Sequence, residues 1–528
     1  MAKQRPVDIV IVGTGMGGAA FAWQLSRLAP NLKILCLERG KWLKDRDMPA
    51  ASAGWQSAAF GQWATSPNAR LAAGGNPWSA DYAIDDSESP LKPLMWNGVG
   101  GSSVNWAAHF PRLKPSDFLT RRLDGAGVDW PYSYNDLEPF YDLNDAMTGV
   151  CGLAGDPAYP PKPQRAMPPL PIGRAGELAA QAFNALGWHW WPVDAAINTG
   201  PYGGRQACNN CGPCLQGCMR GAKSSCDLTY LPAAMANGVE VRSGCIVLRV
   251  TIKNERVTGV TYADEDGSVH EQPASHVVVA ANGIGTPRLL FASGLGRDPN
   301  SVLGRHLMMH PVAYARGLFD DDLDGPAGPV GAALYSHEFY ETDLSRGFVR
   351  GFQIQVTREN SPLAQALRLS PAWGPLAQRD LAEEFRHSIV LMIVTEDLPD
   401  AENRVTVLDR MEPDGLPAVK MRYALSENTK AMIDWGYERT SEVLRAAGAR
   451  REIRAPLPPM TGWHLLGTAR MGDDPRSSFV DACGRCHEVS GLQIADGSIM
   501  PTVGAVNPGS TIGAMALKMA SELAEELA

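Results

Sequence analysis

Four cysteines lie within eleven positions near the middle of the chain, and their spacing can hold an inorganic cluster. They are Cys208, Cys211, Cys214 and Cys218, in the pattern C-x2-C-x2-C-x3-C. Thiolates spaced in this way on a turning backbone can converge on an iron–sulfur cluster. Zinc is a second candidate, because thiolates spaced in this way also bind zinc. A third interpretation is that the four cysteines are reduced structural thiols. The proline that often follows the last ligand is replaced by Met219, and the spacing leaves all three interpretations open.

A glycine triplet near the N-terminus has the spacing that brings backbone N–H groups to a diphosphate. Gly13, Gly15 and Gly18 form the pattern G-x-G-x-x-G. The first glycine permits a tight turn, the second lets the backbone approach the pyrophosphate, and the third lets helix and strand pack closely. Glu38 ends the next predicted strand, where its carboxylate can accept hydrogen bonds from ribose hydroxyls. The pattern predicts dinucleotide binding and does not distinguish NAD from FAD.

The elements predicted around this triplet are those that a dinucleotide site requires. A β-branched run at 7–12 predicts a buried strand, followed by a helix at 19–28 and a second strand at 33–37. Another buried strand at 277–281 runs into a glycine-rich turn, and a late strand ends at Asp496. These positions predict one nucleotide-binding domain assembled from three chain segments, with a substrate domain threaded between them.

Length and composition indicate a globular enzyme. A chain of 528 residues exceeds what one hydrophobic core usually organises, so at least two domains are expected. A hydrophobic fraction of 45% with 20% charged residues excludes a disordered or fibrous chain. The net charge is −9 and no basic stripe is present, which argues against nucleic-acid binding.

The sequence also carries an expectation about location. No apolar run approaches the roughly 20 residues needed to cross a bilayer, so no transmembrane segment is expected. The first residues enter a strand without the charged and apolar segments of a signal peptide. We therefore expect a cytoplasmic protein, or a periplasmic one only if a partner is exported with it.

Five blocks in order resemble the glucose–methanol–choline (GMC) family of FAD-dependent oxidoreductases, closest to its bacterial sugar and alcohol dehydrogenases. The blocks are 13–18, 98–106, 286–294, 463–472 and 496–508. Just before the third block, Asn282 and Gly283 stand where the family usually has Gly and a small residue. Because the blocks span nearly the whole chain, their order is far more specific than any one of them.

The resemblance implies an α/β fold, α+β overall, with a discontinuous Rossmann-like FAD-binding domain. The inserted substrate domain would be built on an antiparallel sheet. The predicted FAD-binding segments are 1–150, which includes a flavin-lid region, 201–315, which includes the cysteine cluster, and 455–528. Residues 151–200 are predicted to form a connection and part of the substrate domain, and 316–454 the substrate domain itself.

The resemblance also nominates a catalytic pair. Oxidation of an alcohol removes a hydride from carbon and a proton from oxygen, so the protein must supply a base beside the flavin. By resemblance His464 is that base and Asn507 orients the substrate hydroxyl. A neutral imidazole titrates near the working pH, and an amide can donate to the same oxygen without competing for the proton. Asn507 and Pro508 also indicate a helix start, with Asn507 as the N-cap.

The residues expected to hold FAD follow from the fingerprint and from the matched blocks. They are Gly13, Gly15, Gly18, Glu38, Gly100, Gly101, Ser102, Asn105, Val247, Asp496 and Pro508. Covalently flavinylated relatives have His in the place of Asn105, so we expect FAD to be bound non-covalently. Three further histidines near the matched blocks, His109, His189 and His310, are interpreted as structural.

The activity that the resemblance implies is an FAD-dependent dehydrogenase that oxidises a CH–OH group of an alcohol or sugar. Electrons would pass to a carrier such as a cytochrome subunit or a quinone. Bacterial sugar dehydrogenases of this family carry a three-iron cluster on cysteines spaced like Cys208, Cys214 and Cys218, whereas other members have a similar stretch without a cluster. An oxidase that produces H2O2 is the alternative. A relay subunit without catalysis is disfavoured by the His464–Asn507 pair, and a nicotinamide-dependent reductase by the lack of a second fingerprint.

Overall fold

The computed structural model describes residues 2–44, 47–51, 54–325, 328–358, 363 and 374–528. Within these ranges the strands are β1 (Ala2–Lys3), β2 (Val7–Val12), β3 (Ile34–Leu37), β4 (Ile84–Glu88), β5 (Trp191–Pro192), β6 (Glu240–Arg242), β7 (Ile246–Lys253), β8 (Arg256–Ala263), β9 (Val269–Val279), β10 (Val312–Leu318), β11 (Ala332–Ser336), β12 (Phe352–Thr357), β13 (Ser388–Thr395), β14 (Arg404–Met411), β15 (Pro417–Arg422), β16 (Arg451–Ala455) and β17 (Leu492–Ile494). The α-helices in the same ranges are α1 (Met16–Leu28), α2 (Trp55–Ala58), α3 (Pro67–Ala72), α4 (Thr120–Asp124), α5 (Tyr134–Thr148), α6 (Gly173–Leu186), α7 (Tyr230–Ala236), α8 (Asn282–Ala292), α9 (Pro375–Glu384), α10 (Glu427–Ala446) and α11 (Gly509–Leu527). None of these helices combines the length and the apolar character needed to cross a membrane.

An eight-stranded sheet contains the strands that precede the predicted nucleotide-binding turns. Strand β2 lies between β3 and β9 and runs parallel to both, with β6 parallel to β3. The late strand β17 pairs in parallel with β9. Strands β2 and β3 are largely buried runs of Val, Ile and Leu, as strands covered on both faces require. Segments from the beginning, middle and end of the chain therefore share one sheet, and the carboxyl ends of β2, β9 and β17 lie along the same edge.

The second large sheet is antiparallel and has the order β16-β10-β13-β12-β11-β5. On one face it packs against α6 and α10, with Phe183, Ile393 and Leu444 in the shared apolar cluster. In β12, polar Gln353 and Gln355 alternate with apolar residues, so this strand turns its glutamines to the opposite face. A polar face of the sheet is thereby directed away from its helical layer.

The remaining elements complete the core around the parallel sheet. Strands β14 and β15 pair in an antiparallel hairpin that β4 joins in parallel. Helices α1 and α11 pack together, and Phe21, Leu25, Ala516 and Met519 belong to the same buried apolar cluster as the parallel strands. Helices α1 and α11 thus stabilise each other.

The α/β fold class with an additional antiparallel sheet is confirmed, and one local prediction is corrected. Helix α11 begins at Gly509 with Pro508 at the cap position, and no side chain caps it. Asn507 therefore does not act as the N-cap. Its amide instead lies near other side chains, described below. The predicted domain boundaries remain predictions.

Candidate active site

A cavity of about 400 Å³ lies between the parallel-sheet edge and the antiparallel sheet. Its lining includes backbone that follows β2, β9 and β17, together with side chains of β10, β12 and β13. In doubly wound α/β folds, ligands bind outside the carboxyl ends of the parallel strands. The cavity therefore occupies the position that the order of the sheet favours for a dinucleotide.

The glycine turn after β2 is shaped by steric demands that only glycine meets. Gly13 has φ +96°, and a Cβ atom there would lie 2.4 Å from the carbonyl oxygen of Ala280. A Cβ atom on Gly18 would lie 2.1 Å from the carbonyl oxygen of Gly13. These two positions close the turn and seat α1 against β2, and both Gly13 and Gly15 line the cavity. The backbone N–H groups at the start of α1 thus face a space that an anionic group can enter.

Glu38 is buried at the end of β3 and lines the same cavity. Its Oε2 accepts hydrogen bonds from the backbone N–H and the hydroxyl of Thr14, at 3.0 and 2.8 Å. Its Oε1 accepts a hydrogen bond from the backbone N–H of Gly40 at 3.0 Å. Two carboxylate oxygens offer about four lone pairs, so the fixed carboxylate retains capacity for a hydroxyl donor in the cavity.

Asp496 holds the ends of β17 and α8 together. One carboxylate oxygen accepts from the backbone N–H of Ser498 at 2.8 Å, and the other from the N–H of Asn282 at 2.9 Å and the hydroxyl of Thr286 at 2.6 Å. Burial raises the pKa of Asp496, and these hydrogen bonds oppose the rise. Asn282, which departs from the family pattern, has φ +68°, a left-handed conformation that Asn tolerates better than most residues.

The residues around this cavity fit FAD. Its lining supplies glycine backbone, two buried carboxylates and unpaired polar atoms, since the Tyr82 hydroxyl and Trp106 Nε1 are buried without hydrogen-bond partners. Of the residues predicted to hold FAD, those lining the cavity are Gly13, Gly15, Glu38, Gly101, Ser102, Asn105, Val247, Asp496 and Pro508. Gly18 and Gly100 lie outside the lining. The pyrophosphate, ribose and ring portions of such a ligand thus find polar groups spread along the cavity.

His464 and Asn507 meet in the same cavity, although they are remote in sequence. Nδ2 of Asn507 lies 3.4 Å from Nε2 of His464. On its other side, Nδ1 of His464 lies 2.9 Å from Nδ1 of His310. Nε2 of His310 lies 2.8 Å from the carbonyl oxygen of Gly504. The four groups form one continuous chain of polar contacts.

The carbonyl of Gly504 determines the direction of this chain. A carbonyl only accepts, so His310 must donate from Nε2, and in its neutral form its Nδ1 then carries a lone pair. His464 must therefore donate from Nδ1 to His310, which leaves a lone pair on its Nε2. That lone pair accepts from Nδ2 of Asn507. The arrangement presents an unprotonated nitrogen and an amide N–H side by side.

Both histidines are held in the neutral form. Burial lowers the pKa of His310 to about 4. Burial likewise lowers the pKa of His464 well below its usual range, and the neighbouring His310 and His109 lower it further. Because neither ring is charged near neutral pH, each has one donor and one acceptor nitrogen, as the chain of contacts requires.

Asn507 is also held from the side opposite His464. Nε2 of Gln355 donates to Oδ1 of Asn507 at 3.1 Å. The same nitrogen lies 3.1 Å from Nδ1 of His109. Gln355 and His109 therefore belong to the immediate surroundings of the pair.

A buried lysine anchors the loop that carries Asn105 and Trp106. Lys223 donates hydrogen bonds to the carbonyl oxygens of Val104, Trp106 and Cys214, at 2.7, 3.2 and 2.5 Å. Burial lowers its pKa. The lysine thus ties the cysteine-rich segment to one wall of the cavity.

The four clustered cysteines surround a separate cavity of about 50 Å³. In the part of the chain that the structure describes, which includes all four thiols, no group of three or more His, Cys, Asp or Glu side chains could hold a metal ion. Burial raises the pKa of Cys214 to about 11 and also raises the pKa values of Cys208 and Cys211. The iron–sulfur and zinc interpretations gain no support from this geometry.

The fold brings to the pair three residues that sequence patterns alone did not indicate. His310 and His109 were interpreted as structural, yet one contacts His464 and the other lines the cavity. Gln355 was not singled out, although the alternation of polar and apolar residues in β12 signals that its side chain leaves the apolar face. His189, in contrast, contacts Asp156 at 2.8 Å and lies outside the lining.

Comparison with known proteins places these features among related chains. Two family models, each described as GMC oxidoreductase, match residues 168–312 and 399–516. The 2-methyl-1,2-propanediol dehydrogenase of Mycolicibacterium austroafricanum is 38% identical, over 97% of this chain and 94% of its own length. Paromamine 6'-oxidase of Streptomyces fradiae is 30% identical, over 99% of this chain and 92% of its own. The solved structure of pyridoxine 4-oxidase from Mesorbium loti superposes with a TM-score of 0.67 over 98% of this chain and 99% of that chain, at 19% identity. That last likeness shows the fold alone.

Proposed function

The chain belongs to the GMC oxidoreductase family, and from that premise we propose that it is a dehydrogenase that uses FAD to oxidise a CH–OH group. Members of the family act on alcohols or sugars, and the relative with 38% identity is a dehydrogenase of a small diol by name. In this proposal His464 is the base, Asn507 orients the substrate, and the electrons leave to a carrier other than O2. The observation that carries the proposal is the chain of contacts from the Gly504 carbonyl through His310 to His464, which leaves Nε2 of His464 unprotonated beside Nδ2 of Asn507.

Two hydrogen bonds would hold the substrate oxygen. An alcohol hydroxyl that enters between the two side chains donates a hydrogen bond to Nε2 of His464 and accepts one from Nδ2 of Asn507. FAD, when bound, supplies the acceptor for the hydride. As the substrate carbon loses that hydride, its hydroxyl becomes acidic and the proton passes to Nε2 of His464.

The walls of the cavity favour this transfer. Val312, Met392 and Val394 line it from the antiparallel sheet and exclude water from part of its surface. Helix α11 begins at Gly509, also in the lining, so its N-terminal N–H groups present a partial positive charge to the cavity. A positive helix end supports an electron-rich group bound nearby.

Anaerobic reduction of the bound flavin tests the proposal. The absorbance of oxidised flavin near ~450 nm should bleach when the holoenzyme is mixed with 2-methyl-1,2-propanediol or with a panel of alcohols and sugars. The variant His464→Ala should retain its flavin and lose about 10²- to 10⁴-fold in the rate of bleaching. Bleaching at the normal rate in that variant would remove His464 from the mechanism, and an absence of bleaching with every member of the panel would overturn the proposed activity.

An oxidase is the second candidate, because the relative with 30% identity is an oxidase by name. The two activities differ in the acceptor and not in the step at the substrate carbon. Enzyme reduced by substrate and then exposed to air separates them: a dehydrogenase reoxidises slowly, whereas an oxidase produces H2O2 in proportion to flavin. Fast peroxide formation would favour the oxidase.

Non-covalent attachment of FAD is part of the proposal. Asn105 lines the cavity and stands where covalently flavinylated relatives have His. An amide side chain does not form the bond to the flavin ring that an imidazole forms. We include no iron–sulfur cluster, because among the described residues no group of three or more His, Cys, Asp or Glu side chains was found that could hold a metal ion.

A further inference from the structure

The amide of Asn507 could in principle face the substrate with its oxygen or with its nitrogen. The two orientations have almost the same shape and opposite chemistry. With Nδ2 toward the substrate, Asn507 donates to the hydroxyl oxygen and leaves the hydroxyl proton for His464. With Oδ1 toward the substrate, it would accept that proton's hydrogen bond and compete with the base.

The chain of contacts that starts at Gly504 favours the first orientation from one side. It places a lone pair on Nε2 of His464, and a lone pair repels the amide oxygen and attracts the amide N–H. At 3.4 Å this contact is long and weak. A substrate hydroxyl that inserts between the two groups also interrupts it, so His464 alone does not keep Asn507 oriented during the reaction.

Gln355 supplies the constraint from the other side. Its Nε2 lies 3.1 Å from Oδ1 of Asn507, and an amide nitrogen only donates. Were Asn507 reversed, its Nδ2 would face this donor and the two sets of hydrogens would repel each other. The contact involves the side of Asn507 away from His464, so substrate binding does not interrupt it.

The orientation of Gln355 follows from the same chain of contacts, because Oδ1 of Asn507 faces it and an oxygen only accepts. Its Nε2 lies close to Oδ1 of Asn507, to Oε1 of Gln353 and, at 3.1 Å, to Nδ1 of His109. Burial lowers the pKa of His109 to about 4, so its ring is neutral, and its Nδ1 accepts in the tautomer that carries the proton on Nε2. Gln353 in turn is held by a contact of 2.6 Å between its Nε2 and Nε2 of His337. A reversed Gln355 would turn its oxygen toward the amide oxygens of Asn507 and Gln353.

Burial makes these preferences strong. Gln353, Gln355 and His109 are all more than nine-tenths buried. A buried polar group that loses its partner costs the full penalty of desolvation, on the order of 1–3 kcal/mol. A reversed amide that loses its hydrogen bond would therefore bear this penalty.

We propose that Gln355 is a positioning residue: its side-chain amide holds Asn507 with Nδ2 toward the substrate oxygen. This inference rests on the proposed function, because it acts through Asn507. Gln355 contributes to the rate by keeping a donor aimed at the oxygen and away from competition with His464. It should affect the reduction step more than substrate affinity, since the contact it makes is with the protein.

A double-mutant cycle tests the inference. Gln355→Met keeps a similar volume and removes the donor, and Asn507→Ala removes the group that Gln355 positions. In the wild-type background, Gln355→Met should lower the rate of flavin reduction at saturating substrate about 10-fold and change KM by less than about threefold. In the Asn507→Ala background the same substitution should cost less than about twofold, because nothing remains to be positioned.

Other results contradict the inference and separate it from the proposed function. An equal loss in both backgrounds would mean that Gln355 acts directly on substrate or on the fold, as would a rise in KM with an unchanged rate. If Asn507→Ala itself reduces flavin at the wild-type rate, the role of Asn507 fails and the inference fails with it. Flavin content measured for each variant shows that it has folded, and Gln355→Ala repeats the cycle if Gln355→Met does not retain flavin.

Discussion

A single carbonyl oxygen, that of Gly504, determines which nitrogen of His464 is free. It fixes the proton of His310 on Nε2, and His310 in turn fixes the proton of His464 on Nδ1. The role of His310 is thus comparable to that of a residue that holds a catalytic imidazole in one tautomer. In our proposal the reactivity of His464 depends on a residue that does not touch substrate.

A variant that lacks the acceptor Nδ1 of His310 should therefore retain His464 but use it less efficiently as a base. In His310→Phe the Nδ1 proton of His464 loses its partner, and the ring can place its proton on Nε2, toward the cavity. We expect the rate of flavin reduction to fall roughly 10²-fold, measured by anaerobic stopped-flow with flavin content unchanged. His310→Asn places an acceptor oxygen close to the position of Nδ1 and should recover part of the loss. Equal rates in both variants would contradict the tautomer argument.

The pH dependence of the reaction should follow the lowered pKa of His464. Burial and the neighbouring histidines favour the neutral ring, so the pKa lies well below 6.5. A base must be unprotonated to act, and here it stays unprotonated as the pH falls through 6.5. We expect the rate of flavin reduction to be constant from about pH 8 to below 6.5 and to decline only in more acidic solution. A decline centred at or above pH 6.5 would show that the imidazole is not held neutral.

At the scale of elements, a loop and a strand position the groups that the parallel sheet does not carry. The loop with Asn105 and Trp106 depends on Lys223, and β12 carries Gln355. The prediction that Asn507 is the N-cap of α11 was wrong, again because side chains from other elements determine the contacts of this residue. The amide of Asn507 contacts Gln355 and His464, and no side chain caps the helix N-terminus.

Loss of the Lys223 ammonium should loosen the loop. Lys223→Met leaves the carbonyls of Val104, Trp106 and Cys214 buried without their charged donor. We expect a loss of stability of about 3 kcal/mol, seen as a lower thermal midpoint, together with a lower FAD content. Lys41→Met serves as the control, since Lys41 pairs with Glu265 while about half exposed and should contribute less than about 1 kcal/mol. Equal midpoints for the two variants would exclude the anchoring role of Lys223.

At the scale of the whole molecule, the cavity exists because distant chain segments share one sheet. β2, β9 and β17 bring the N-terminal, central and C-terminal segments to a common edge, and the antiparallel sheet covers the space in front of them. FAD in this position would contact all three segments. We therefore expect FAD binding to stabilise the folded state of the whole protein.

Acid denaturation should release the flavin. Because Asn105 stands in place of the linking histidine, precipitation with acid should leave FAD in the supernatant and a colourless pellet. Metal analysis of the anaerobically purified holoenzyme should give far less than one iron or zinc per chain, as expected for the thiols of Cys208, Cys211, Cys214 and Cys218 in their present arrangement. A yellow pellet would contradict non-covalent binding, and several irons per chain with matching sulfide would restore the cluster hypothesis.

The sequence by itself determined the features that depend on local order along the chain. Buried β-branched runs, the glycine spacing after β2 and the acidic residue at the end of β3 are requirements of short segments, so the order of residues is enough to predict them. The resemblance added the pair His464 and Asn507. The tertiary structure alone decided the tautomer of His464 and the orientation of Asn507. Each of these depends on contacts between residues far apart in sequence, and hydrogen-bond direction is set by the partner that a group meets in space.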